Sequence, residues 1–168
     1  MPKFKDLRGD ETFKELQEEF GLPFVINPKD AFGSKNVSII ETEEDYKNCT
    51  IEEGFECETF IKGKLYHIDN IWQNGKPIFE VCNEYSCPNE EFRKGKALLS
   101  VPLLPENEIS KKASILAKQV VDTFGLKSGA THLEFFVLAN GELVFLEIAG
   151  RSQCIIGNLV LIFQILIY

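Results

Sequence analysis

Apolar positions recur at two periods along this chain, and the change of period divides it. In DETFKELQEEF (10–20), Phe13, Leu16 and Phe20 fall on one helical face. Asp10 is placed to cap that helix, Gly21 to end it, and Pro23 to prevent its resumption. FVIN (24–27) reads as a short buried strand, with Pro28 keeping Asn27 extended. A polar loop, KDAFGSKN (29–36), leads to a second strand over VSIIE (37–41). Thr42 then caps a short helix ending near Asn48, with Asp45 in the capping-box position. From Glu56 to about Val81 the period falls to two, and Lys62-Gly63 and Asn74-Gly75 are both hairpin signals. Residues 82–106, with Pro88, Pro102 and Pro105, are expected to be irregular. A longer helix is expected over about 108–124, with Ile109, Ala113, Leu116, Ala117, Val120 and Phe124 as its apolar stripe and Gly125 as its stop.

The segment THLEFFVLANGELVFLEIAGR (131–151) carries the most chemistry. Asn140-Gly141 signals a type I′ turn, with both residues at positive φ. That turn sets Ala139 across from Glu142 and, counting outward, Phe136 across from Phe145 and Glu134 across from Glu147. One face is then wholly apolar: Leu133, Phe135 and Val137 against Val144, Leu146 and Ile148. The other is apolar except at one end, which holds His132, Glu134 and Glu147. Opposed residues have Cβ atoms ~4.5–5.5 Å apart. Two carboxylates that close repel by about 3 kcal/mol at an effective dielectric of about 20. A shared proton relieves the repulsion, and so does a cation between them. Carboxylate oxygens suit Mg²⁺, Mn²⁺ or Ca²⁺. Solvation at a sheet edge, pairing with Arg151, and a glycosidase-type acid pair are the other readings.

Charge and cysteine content narrow the classes. The chain has 168 residues and a net charge of −8, which supplies no basic surface for nucleic acid or an anionic membrane. Five cysteines without a CxxC motif read as reduced thiols of a cytoplasmic protein rather than a zinc site. The N-terminus lacks the apolar core of a signal peptide. Residues 155–168, IIGNLVLIFQILIY, are apolar but fall short of the roughly 20 residues of a membrane span. A buried strand or helix is expected there, and the abrupt apolar end points to a domain whose ordinary C-terminal part is missing.

With these residues in place, the chain resembles the ATP-grasp family, whose pattern is a Glu on one strand, a turn, then Glu-x-(Asn or small)-x-Arg on the next. Here that reads H132-L-E134 through N-G to E147-I-A-G-R151. Residues 21–40, GLPFVINPKDAFGSKNVSII, resemble the family's lid segment, and CETFIKGKLYHID (57–69) its hinge. The resemblance implies an α+β fold of two lobes with a nucleotide cleft between them. Residues 1–56 would be the lid lobe, and 57–168 a truncated C-terminal lobe with the metal-binding hairpin at 131–151. It implies that Glu134 and Glu147 hold Mg²⁺ or Mn²⁺, and that Arg151 faces the phosphates or an acyl-phosphate. It implies that Gly33 and Ser34 cover the phosphates, that Glu58, Thr59, Phe60 and Ile61 hold the adenine, and that His67 lies near the ribose. Asp69 reads as structural. Asn27 stands where the family carries a phosphate-binding lysine, with Lys29 or Lys35 as local substitutes, and Ala149 stands where many members carry a metal-binding Asn. The implied activity is ATP-dependent ligation of a small carboxylate to an amine or thiol, with ATP and Mg²⁺ as cofactors and a separate or absent preceding domain. The alternatives are a degenerate nucleotide- and metal-binding module without independent catalysis, and a metal-binding structural protein.

Overall fold

The computed structural model describes residues 1–29, 36–87 and 97–150. The described residues form two compact units, and the polypeptide crosses from one to the other several times. The first unit takes Met1–Leu65, Glu84–Val101 and Phe135–Leu146. The second takes Tyr66–Asn83, Pro102–Glu134 and the chain from Glu147.

The first unit contains a four-stranded sheet of β1 (Phe4–Asp6), β2 (Phe24–Pro28), β3 (Ser38–Ile40) and β4 (Phe55–Thr59), in the order β1-β4-β2-β3. Its pairs are antiparallel, and the β2–β4 register sets Asn27 across from Glu56 and Val25 across from Glu58. Three residues of mixed polarity gave β1 no readable period. β4 spans the division at 56/57 expected between lobes.

Helix α1 (Phe13–Phe20) is capped by Thr12, not Asp10. The Thr12 hydroxyl accepts from the Glu15 N–H at 3.3 Å, and the Glu15 carboxylate accepts from the Thr12 N–H at 2.8 Å. A cap at Asp10 would have placed Phe13 third, with nothing to return the bond. Helix α2 (Glu43–Asn48) starts on the expected Thr42–Asp45 box. Leu16 and Phe20 of α1 join Phe24, Ile26, Ile40, Phe55 and Cys57 of the sheet in one buried cluster, with Phe13 and Tyr46 packed against it.

The remaining strands are β5 (Lys64–Gln73), β6 (Lys76–Tyr85), β7 (Ser100–Pro102), β8 (Gly129–Val137) and β9 (Leu143–Ala149), in the order β7-β6-β5-β8-β9. Asn74 at φ +51° and Gly75 at φ +74° form the expected tight turn between β5 and β6. Lys62-Gly63 does not form a hairpin, because β4 and β5 belong to different sheets. Gly63 answers to space instead: a Cβ there would lie 2.8 Å from the Val137 carbonyl oxygen. β6 runs past Val81 to Tyr85, and β7 adds order to a stretch read as irregular. Pro102, which lacks an N–H, is tolerated because it ends an edge strand.

Helix α3 (Glu108–Thr123) is capped by the Asn107 side chain. It buries Ser110, Ala113, Ala117 and Val121, while Phe124 is 72% exposed. The buried stripe is therefore rotated from the one read in the sequence. Small alanines permit close approach to a neighbouring layer, and Ser110 is buried because its hydroxyl donates to the Leu104 carbonyl at 3.0 Å. Ser114 of α3 donates to Glu80, which also accepts from Asn70. These bonds place Asn70, and with it Ile68 and Trp72, on the helix-covered face of β5. Trp72 donates to Thr131 at 2.9 Å, which places Thr131 and Leu133 of β8 on that same face.

Candidate metal and nucleotide site

Strand alternation sends the intervening residues to the other face of β5 and β8. His67 and Asp69 come from β5, and His132 and Glu134 from β8. They form a continuous hydrogen-bonded chain. Asp69 Oδ2 lies 2.9 Å from His67 Nδ1, and Asp69 Oδ1 lies 2.9 Å from His132 Nδ1. His132 Nε2 lies 3.2 Å from Glu134 Oε1. The two imidazole centroids are 4.8 Å apart.

All four side chains are buried, with exposures between 1% and 6%. Charges taken out of water are tolerated only when paired and hydrogen-bonded, and here they are. Burial pushes the Asp69 carboxyl upward in pKa, but hydrogen bonds from His132 and His67, with their charge, outweigh it and hold the group well below the usual carboxylate range. Burial pushes His132 downward, but its bonds to Asp69 and Glu134 and their negative charge raise it to about 9. His132 is thus an imidazolium near neutral pH. The ligand atoms of His67, Asp69 and His132 close to within 4.8 Å of one another, the one such group of three among the described residues.

The hairpin that carries Glu134 and Glu147 turns differently from the sequence reading. Only Gly141 has positive φ, at +78°, and Asn140 does not. The Gly141 N–H donates to the Leu138 carbonyl and the Leu138 N–H to the Glu142 carbonyl, each at 2.9 Å. This is a three-residue loop in which Leu138, not Ala139, faces Glu142. It asks only glycine to enter the left-handed region, whereas a type I′ turn would ask Asn140 as well. Counted outward without interruption, this register sets Leu146 across from Glu134. A face-to-face Glu134–Glu147 pair requires one further one-residue offset between the loop and the glutamates. Glu134 is 6% exposed, and Glu147 is exposed.

The other expected site residues lie as follows. Asn27 is in β2, opposite Glu56. The Lys29 ammonium is 3.1 Å from Asp6, and the Lys29 N–H donates to the Gly54 carbonyl. Glu58 and Thr59 end β4, and the Thr59 N–H is taken by the Lys3 carbonyl at 2.9 Å. Phe60 and Ile61 follow, both half-buried, between β4 and β5. His67 is buried in the network and is not a surface imidazole. Gly33, Ser34 and Arg151 lie outside the described residues. Asp69, read as structural at a strand end, instead sits within β5 and bonds both histidines. Two short patterns foreshadowed this, His-x-Asp at 67–69 and His-x-Glu at 132–134, but neither shows from sequence that the two strands are neighbours.

Comparison with known proteins agrees with this architecture. No family model matches the chain. It is 26% identical over 147 residues to the L-arginine-specific L-amino acid ligase of Bacillus subtilis, covering 80% of this chain and 35% of that protein. It is also 26% identical over 153 residues to the D-alanine–D-alanine ligase of Geobacter sulfurreducens, covering 86% of this chain and 48% of that one. Among solved structures, carboxyaminoimidazole ribonucleotide synthase from Aspergillus clavatus complexed with ATP superposes with a TM-score of 0.74 at 16% identity, covering 92% of this chain and 41% of that one. An L-amino acid ligase from Bacillus licheniformis gives 0.65 at 18% identity, covering 92% and 37%. The curated relatives are ligases, and the structural neighbours share the fold of this chain. The chain has the ATP-grasp fold, and it spans between about a third and a half of the curated relatives it matches.

Proposed function

We propose that this chain is the ATP- and Mg²⁺-binding part of a ligase that joins a small carboxylate to an amine or thiol through an acyl-phosphate. The observation that carries the reading is kinship with two amino-acid-joining ligases across 80% and 86% of the chain. Glu134 and Glu147 are the proposed metal ligands. Their hard oxygens suit Mg²⁺, and Glu134 is presented from a strand interior rather than on a loop. Bound Mg²⁺ supplies neutralisation of phosphate charge. Glu58, Thr59, Phe60 and Ile61 would hold the adenine, Gly33 and Ser34 would cover the phosphates, and Arg151 would face the transferred phosphoryl group. Asn27 and Lys29 would line the phosphate side, and His67 would sit behind the ribose as part of the buried network. Such chemistry needs positioned charge and no side-chain nucleophile.

One observation favours a second reading, a module that binds nucleotide without turnover. The position of the family's lysine is the neutral Asn27, and the nearby Lys29 is paired with Asp6. A single set of titrations separates the two. Calorimetry of ATP binding to the purified chain, with and without Mg²⁺, is expected to show Mg²⁺-dependent binding that Glu147→Gln weakens. Binding of neither nucleotide nor divalent metal would overturn both readings. Binding without phosphate release, across a panel of carboxylates and amines, selects the second.

A further inference from the structure

Glu134 does not stand alone on its strand. His132, two residues earlier on the same face of β8, points one ring nitrogen at it, with Nε2 3.2 Å from Oε1. The other ring nitrogen, Nδ1, lies 2.9 Å from Asp69 Oδ1 on the neighbouring strand β5. Each nitrogen of this ring therefore faces a carboxylate oxygen, and the ring is strung between the two carboxylates. Asp69 is anchored in turn, because its second oxygen faces His67 Nδ1 at 2.9 Å.

We propose that His132, oriented by Asp69, is a positioning residue that presets the Glu134 carboxylate for a divalent cation. The inference rests on the assignment of Glu134 as a metal ligand. A glutamate side chain free to rotate loses rotamer entropy when it binds a metal, and a carboxylate already held by one oxygen loses less. The supports are well placed for this. Asp69, His132 and Glu134 all lie within strands, where the backbone is held by ladder hydrogen bonds on both sides. The buried chain of four side chains has a cost as well as a use. Buried ionisable groups, even when paired, contribute little net stability over an apolar core of the same shape. Orientation of a ligand gives such an arrangement a function that strand cohesion alone does not require.

The test is Mn²⁺ binding, read by loss of the free aqueous Mn²⁺ paramagnetic resonance signal. It compares the wild-type chain, Asp69→Asn, Glu134→Gln and the double variant. Asp69→Asn is expected to weaken Mn²⁺ binding about 10-fold, at the lower end of what outer partners of metal ligands contribute. In the Glu134→Gln background the same substitution is expected to add nothing, since the residue it orients is gone. A purely structural Asp69 would leave Mn²⁺ affinity unchanged, or weaken it equally in both backgrounds, and either result overturns the proposal. If Glu134→Gln itself leaves Mn²⁺ binding unchanged, the metal-ligand assignment falls and the inference with it. If Glu134→Gln weakens binding and Asp69→Asn does not, the inference alone falls. Should Asp69→Asn not fold, His132→Gln replaces it in the same cycle.

Discussion

Thr131 and Trp72 illustrate how much depends on single polar atoms in this chain. The indole N–H of Trp72 is buried, and its partner is the Thr131 hydroxyl at 2.9 Å. Thr131→Val keeps the shape and removes the acceptor. A buried donor left unsatisfied costs about 1–3 kcal/mol. We expect the urea midpoint to fall accordingly with the slope unchanged, and an unaltered midpoint would show that the indole finds another acceptor. The same scale explains why Asp69 was undervalued in the sequence. A lone Asp after His-Ile has no visible partner, and its partner His132 is 63 positions away. Glu134 was identified because the Asn140-Gly141 register set it across from Glu147 at the one polar end of an otherwise apolar hairpin.

At the scale of elements, local chemistry was legible and register was not. The Thr42–Asp45 cap, the Gly21 stop and the Asn74-Gly75 turn each follow from a few adjacent residues, and each is present. At Asn140-Gly141 two loop geometries satisfy the same dipeptide. The difference between them is one residue of register at the loop, where Leu138 rather than Ala139 faces Glu142. Lys62-Gly63 misled for another reason: its glycine is demanded by close packing and not by a turn. Gly63→Ala tests this. The added methyl would meet the Val137 carbonyl oxygen at 2.8 Å, a backbone atom that cannot rotate away. Overpacking of this kind costs about 1–3 kcal/mol. Thermal unfolding of Gly63→Ala is expected to shift downward. A variant as stable as the parent would mean that the segment after β4 relocates freely.

For the molecule as a whole, the buried charge network sets how stability varies with pH. His132 titrates at about 9 when folded, against an ordinary value of 6.5. Its contribution is fully present below about pH 6.5 and is lost as pH rises through about 9. Asp69 is shifted the other way from its ordinary 3.8, so its contribution holds above about pH 4 and is lost as pH falls through its depressed folded value. The buried thiols Cys57 and Cys82, pushed up to about 12 chiefly by burial, extend the alkaline loss. Urea titrations across this range should therefore show a stability maximum between about pH 4 and 6.5 and a decline towards 9. In Asp69→Asn the decline above 6.5 should flatten. A wild-type stability that climbs between pH 6.5 and 9 would contradict the network. Among the described residues no helix is long and apolar enough to cross a membrane.

The sequence by itself determined the α+β class, the three helices and the Thr42 cap of α2, the two-residue turn between β5 and β6, and a carboxylate-bearing hairpin of the ATP-grasp pattern. Those features depend on neighbours within a turn or two, where periodicity and capping chemistry act. Only the tertiary structure decided that β4 and β5 part company into different sheets. It alone set β8 beside β5, so that His132 meets Asp69, and it set the register leaving the Glu134 loop. These depend on which strands hydrogen-bond across long loops, and pairing energy is nearly degenerate until side chains from distant segments pack together. The carboxylate that first drew attention is thus defined twice: by its own strand, which marks it as unusual, and by a histidine and an aspartate that only folding brings to it.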